Sequence, residues 1–170
     1  MAAQKHPRIV SIKEAEAGEP MTREHGEKYA SRHYQVSRLI ESAKLGYHLT
    51  VIPPGRRAFP YHFHHVNEEL FFVLSGSGVL RDPAGETPIG EGDLICCPAG
   101  PEGAHQLINT GAVDLRYLAL STLHDPEVVE YPDAGKYGVI AGRPPGGRPQ
   151  DAKFAVFAYR SGGVDYWDGE

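Results

Sequence analysis

The sequence predicts a single all-β domain built as an antiparallel barrel, and three observations predict it. The chain has 170 residues, close to one domain at about 150 residues each. Glycine (20) and proline (14) together supply 34 of them, one in five, which excludes long helices. Short apolar runs alternate with turn residues at spacings that leave no room for crossover helices. A hydrophobic fraction of 41% and an aromatic fraction of 9% support a sizeable core. A chain this long buries about 70% of its extended surface on folding, so wholesale disorder is excluded.

Residues 1–33 are polar and charged, with weak apolar grouping at Ile9-Val10 and Ile12, and read as a polar N-terminal arm or as edge elements. Strands are expected over 34–40, 45–52, 70–74, 78–81, 94–97, 105–108 and 115–120. Turn residues separate them: Pro53-Pro54-Gly55, Ser75-Gly76, Asp82-Pro83-Ala84-Gly85, Gly90-Glu91-Gly92, Pro98-Ala99-Gly100-Pro101 and Asn109-Thr110-Gly111. The pattern loosens after Ser121. The stretch 141–149 reads as a loop, and a last strand is expected over 154–159. Residues 34–123 are thus the barrel. Residues 124–170 are a C-terminal extension, whose tail 164–168 is expected to pack on the barrel or on a second subunit.

Charge and cysteine usage narrow the function classes. Seventeen basic and 22 acidic residues give a net charge of -5, with no basic cluster beyond Arg56-Arg57, so nucleic acid is not an expected partner. No apolar run reaches about 18 residues, the length of a membrane helix, and residues 1–7 lack the apolar core of a secretory signal. A soluble, cytoplasmic protein with no membrane partner is expected. Cys96 and Cys97 are sequence neighbours, and successive strand residues point to opposite faces, so they read as reduced thiols, one facing in and one out.

The densest chemistry lies in the run Tyr61-His62-Phe63-His64-His65-Val66-Asn67-Glu68-Glu69. On a strand His62 and His64 share a face about 6.6 Å apart, so two imidazoles can converge on one ion. Val66 and Asn67 can turn the chain so that Glu69, opening the next strand, faces the pair. His105 is the only histidine inside a later expected strand. Neutral imidazoles and a carboxylate suit first-row divalent ions. The competing reading is a set of surface histidines beside an acidic turn.

The glycines and prolines around these residues carry a more specific signal. Gly55, six residues, His62-Phe63-His64, four residues, Glu69, six residues and Gly76 form one motif. Gly92, five residues, Pro98-Ala99-Gly100, four residues, His105, three residues and Asn109 form a second, with fifteen residues between Gly76 and Gly92. Together they resemble the two motifs of the cupin superfamily. The first spacer is one residue longer than the usual pattern, and four residues, 101–104, stand where two are usual.

The resemblance implies an antiparallel double-stranded β-helix, the jelly roll, and makes His62, His64, Glu69 and His105 ligands of one divalent metal ion, zinc, iron, manganese or nickel. Glu68 is the rival carboxylate; Glu69 is preferred for its distance to Gly76. His65 falls one position off the ligand face and reads as a polar rim or supporting group. His6, His25, His33, His48 and His124 lie outside the motifs and read as exposed or structural. Gly76 and Gly92 are expected at positive φ, and Asp93 and Asn109 at turns. By parity Phe71, Val73 and Leu107 point inward; Tyr47 and Tyr117 are candidates for pocket walls. No organic cofactor site and no catalytic base are indicated.

A jelly roll of this kind hosts many activities. The expectation is a small-molecule metalloenzyme, an oxygenase or a sugar-phosphate isomerase or lyase, working as a homodimer. The alternative is a non-catalytic module that binds a metal or sugar. Arg56-Arg57 is the only arginine pair beside the metal motif that could hold a phosphate.

Overall fold

The computed structural model describes residues 6, 8–144 and 149–170. In chain order the elements are α1 (Ile12–Glu16), β1 (Met21–His25), β2 (Tyr29–Tyr34), α2 (Val36–Leu39), β3 (Leu45–Ile52), β4 (Phe63–His64) and β5 (Glu69–Ser75). There follow β6 (Ser77–Asp82), β7 (Gly85–Gly90), β8 (Leu94–Cys97), β9 (Gln106–Ile108), β10 (Leu115–Thr122), β11 (Glu127–Tyr131), β12 (Lys136–Ala141) and β13 (Phe154–Tyr159). All paired strands are antiparallel. They form a jelly roll of three sheets, ordered β1-β2-β3-β10-β5-β8, β13-β12-β11-β4 and β7-β6-β9.

One core cluster joins two of the three sheets. Phe71, Val73, Ile95, Leu115, Tyr117 and Ala119 from the six-stranded sheet meet Ile89 and Leu107 from the three-stranded one. Inward residues alternate with outward ones, as a strand's period of two requires: along β10, Leu115, Tyr117 and Ala119 are buried and their neighbours are not. Phe71, Val73 and Leu107 point inward as parity predicts, and Cys97 is buried while Cys96 is exposed, both as free thiols. Gly76 and Gly92 both take positive φ, 84° and 93°. At Gly76 a Cβ would also lie 2.5 Å from the Asp114 carbonyl oxygen, so the β5–β6 turn admits no side chain. Asn109 is fully buried and donates to the carbonyls of Ile52 (2.7 Å) and Val113 (2.8 Å), and Asp93 accepts from the Gly90 N–H at 2.7 Å.

The local expectations fail in three places. The run 34–40 is not a strand: β2 ends at Tyr34, and Val36–Leu39 make a helical turn. Val36, Leu39 and Ile40 already stand at the three- and four-residue spacing of a helix face. β7 was not expected, because Glu86 to Pro88 present polar side chains and a proline, which an edge strand tolerates. β11 and β12 fill the stretch that seemed too loose for strands. The loop expected at 141–149 lies partly outside the described residues, at 145–148. No described helix is long and apolar enough to cross a membrane.

Candidate metal centre

β4, β5 and an isolated bridge bring the sequence-derived residues together. His62 and His105 face each other across an isolated antiparallel bridge, with reciprocal N–H···O bonds of 3.2 and 2.8 Å, so their rings lie 4.6 Å apart between centroids. His64 follows on β4, its ring 5.2 Å from that of His62. Glu69 opens β5 on the other layer. One of its oxygens, Oε2, lies 3.1 Å from His105 Nε2, 3.3 Å from His64 Nε2 and 3.9 Å from His62 Nε2. Ligand atoms of His62, Glu69 and His105 all fall within 4.8 Å of one another, close enough to share an ion. Glu68 points away and is exposed.

The ring orientations fit such an ion. His62 Nδ1–H donates to the Pro60 carbonyl and His105 Nδ1–H to the Gly103 carbonyl, both at 2.8 Å, which turns each Nε2 toward Glu69. Fixing the outer nitrogen in this way sets tautomer and ring orientation for ligation. The extra residues of the second motif explain one anchor. Pro101–Gly103 form a 3-10 turn after Gly100 (φ 94°), and the turn presents the Gly103 carbonyl to His105. A Cβ at Gly103 would lie 1.8 Å from the Pro98 carbonyl oxygen, so only glycine fits.

Glu127 serves His64, and sequence reasoning missed it. Its Oε2 lies 3.5 Å from His64 Nδ1, an ion-pair contact longer than a hydrogen bond. Glu127 is 3% exposed. Asn67 holds it by donating to the same oxygen, and Asn67 is itself fixed by Thr122 (3.0 Å) and the His124 N–H (2.7 Å). Glu127 shares a strand face with Val129 and Tyr131, so an acid on an apolar face was the available signal. His65 lies off the face, exposed, and pairs with Glu130 at 2.8 Å.

Electrostatics divide the three imidazoles. Burial, then His105, hold His62 neutral, lowered to about 3. Burial also opposes a charge on His64, but Glu127 and then Glu69 outweigh it and raise His64 to about 9. At His105 the contacts with Cys97 and Glu69 overcome burial and raise it to about 10. Glu69 stays ionised against burial because His105 and His64 hold it well below the usual carboxylate range.

The cluster floors a cavity of about 230 Å³ with a largely apolar wall that includes Phe71, Tyr117, Val129, Tyr131, Ile140 and Phe157. Tyr131 stacks on His62 (5.9 Å, 20°), and Phe157 reaches Tyr131 by crossing Gly138, where a Cβ would meet its ring at 2.5 Å. A second lobe, also about 230 Å³, shares Arg23, His48, Phe59, His64 and Glu69 with the first and is lined by Tyr47. His48 and His33 both line the second lobe, and His33 is held there by Ser31 (2.8 Å) and Thr50 (3.1 Å). Arg56 and Arg57 line neither lobe; Arg56 donates instead to the Glu27 carbonyl.

Residues 48–121 match the family model described as a cupin domain. Fold and motifs agree with that match, and residues 48–121 carry a cupin domain. It is 35% identical over 72 residues to the oxalate-binding protein of Thermotoga maritima, 42% of this chain and 57% of that one. The chain spans 57% and 65% of the two curated relatives it matches. Among solved structures it is similar to a protein named as a sugar phosphate isomerase from Acidithiobacillus ferrooxidans (TM-score 0.77, 24% identity, 94% of this chain and 96% of that chain). It is also similar to one named for oxalate decarboxylase from Thermotoga maritima (TM-score 0.54, 25% identity, 62% and 93%).

Proposed function

We propose that the protein is a metal-dependent enzyme acting on a small oxygenated molecule, with isomerase-type chemistry as the leading reading and oxygenation as the other branch. The observation that carries it is the convergence of three histidine nitrogens, 3.1 to 3.9 Å away, on one Glu69 oxygen at the floor of a cavity. His62, His64, Glu69 and His105 are the proposed ligands of one divalent ion, zinc, iron, manganese or nickel. Bound there, such an ion supplies Lewis acidity toward a carbonyl or hydroxyl oxygen.

The remaining work falls to the chain itself. The Pro60 and Gly103 carbonyls aim two imidazoles, Glu127 steadies the third, and Glu69 balances their charge. Phe71, Tyr117, Tyr131 and Phe157 exclude water from one side of the floor. The name of the Acidithiobacillus relative supports the isomerase branch. The name of the Thermotoga oxalate-binding protein supports the alternative, a non-catalytic binder.

The proposal extends to the division into an arm (1–33), barrel (34–123) and extension (124–170), to a cytoplasmic setting, and to a homodimer. Phe154, Tyr159, Tyr166 and Trp167, all more than half exposed at the C-terminal end, support the homodimer.

Elemental analysis of protein purified without added metal, followed by aldose–ketose isomerisation and oxygen-uptake screens, tests the reading. About one equivalent of ion and turnover that depends on it are expected; saturable binding without product would select the binder. His62→Ala protein that keeps one equivalent at unchanged affinity overturns the ligand set.

A further inference from the structure

The second lobe of the cavity differs in kind from the first. Three guanidinium groups line it from three separate segments: Arg23 on β1, Arg38 on α2 and Arg143 after β12. Among the described residues its one lining carboxylate is Glu69, whose oxygen is already directed at the histidines. None of the three arginines is saturated by its partners. Arg23 forms no ion pair among the described residues and lies over the Phe59 ring at 5.3 Å. Arg38 reaches Asp151 through one nitrogen at 3.4 Å, and Arg143 gives one nitrogen to the His124 carbonyl at 3.3 Å. A guanidinium carries five N–H donors in a planar fork, so most of the donor capacity of this lobe is uncommitted. Gln35 and Ser37 add neutral hydrogen-bonding groups on the same wall.

Three like charges around one concavity repel one another, and an oxyanion placed between them removes that repulsion while filling the forks two donors at a time. We propose that this lobe is a subsite for an anionic group of the substrate, a phosphate ester or a carboxylate, whose uncharged end lies over the Glu69–histidine floor. The inference rests on the metalloenzyme reading and adds to it the charge and orientation of the substrate: anion toward Arg38 and Arg143, reacting oxygen toward His64. His64 and Glu69 line both lobes, so one small molecule can span them. The phosphate site thus lies away from Arg56-Arg57.

Calorimetric titration of the metal-loaded full chain with inorganic phosphate and, in a separate arm, with oxalate tests this. Saturable binding that weakens as sodium chloride is raised is expected. Arg38→Gln and Arg143→Gln should each weaken it by about tenfold, as loss of a charge-assisted hydrogen bond does. Arg143→Lys should recover part of the loss, and metal content and circular dichroism verify that each variant is folded. Tighter phosphate identifies a phosphate ester and tighter oxalate a carboxylate, and either supports the subsite. No saturable binding of either anion to the wild type, or wild-type affinity in the double arginine variant, overturns it. Metal-free His62→Ala protein separates the two readings. Phosphate binding that survives there supports a subsite independent of the ion, whereas binding that disappears with the ion shows the anion seated on the metal and overturns the proposal.

Discussion

Loading a divalent ion into the site should expel about two protons at pH 7, because two of its three imidazoles are held in the charged form. His64 and His105 are raised to about 9 and about 10, so both are protonated at neutral pH in the metal-free chain, while His62, lowered to about 3, is already neutral. Each imidazolium Nε2–H is directed at Glu69 Oε2, over 3.1 Å from His105 and 3.3 Å from His64. Ligation requires both nitrogens free. Apparent affinity should therefore rise about a hundredfold per pH unit, two decades for two protons, between pH 7 and pH 9. Because the folded values lie above the unfolded 6.5, the same two protons stabilise the metal-free fold. That contribution is complete below pH 6.5 and lost as pH rises through about 9 to 10. Calorimetry of zinc binding in non-chelating buffers of different ionisation enthalpy reads the proton count directly as a slope. A slope below one at pH 7 would refute the electrostatic account of the site.

Glu127→Gln keeps the shape but removes the charge facing His64 Nδ1, and should weaken zinc about 10- to 100-fold, as losing an outer-sphere partner does. Chelator competition measures it, and unchanged affinity would show that Glu127 only fills space. Gly103→Ala drives a Cβ to 1.8 Å from the Pro98 carbonyl oxygen and displaces the carbonyl anchoring His105. A loss of about 3 kcal/mol, typical of overpacking, lowers Tm by about 6 to 12 °C in a domain this size, and a calorimetric shift under 2 °C contradicts the clash. Phe71→Ala, at a side chain 4% exposed and packed on the His105 and Tyr117 rings, should cost about 3 to 5 kcal/mol in urea unfolding. A cost under about 1 kcal/mol would mean that the cavity collapses around the missing ring.

What the sequence made legible is what short-range patterning controls. β3, β8 and β13 fall at the expected bounds because each is an uninterrupted apolar or alternating run flanked by turn residues. Parity alone aimed Phe71, Val73 and Leu107 inward. The four clustered residues were legible because two turn-defined spacings carry them. Glu127 was not, since its partners His64 and Asn67 lie 63 and 60 residues away and its one local mark, an acid on the face of Val129 and Tyr131, names no partner. β7, β11 and β12 escaped because their exposed faces carry charged residues and a proline, and antiparallel pairing with neighbours overrides such weak propensity. The run 34–40 was misread because its apolar residues suit either period, and its helical spacing decided the outcome.

The cavity walls divide into residues inside the family-matched segment and residues outside it. His62, His64, Glu69 and His105 all lie inside the family-matched segment 48–121, together with Phe71 and Tyr117. Arg23, Arg38, Tyr131, Arg143 and Phe157 all lie outside it, on the β1–α2 segment and in the part of the chain after Ser121. Even the support for His64 is imported, through Glu127 on β11. The histidine–glutamate cluster held by the barrel is thus walled by flanking elements that place charge on one lobe and aromatic bulk on the other. Specificity is a difference between affinities, so residues that vary the walls without touching the centre are where substrate choice is set. Changes at Arg143 or Phe157 should accordingly move KM and substrate preference while metal affinity stays fixed, whereas a change at Glu127 should do the reverse.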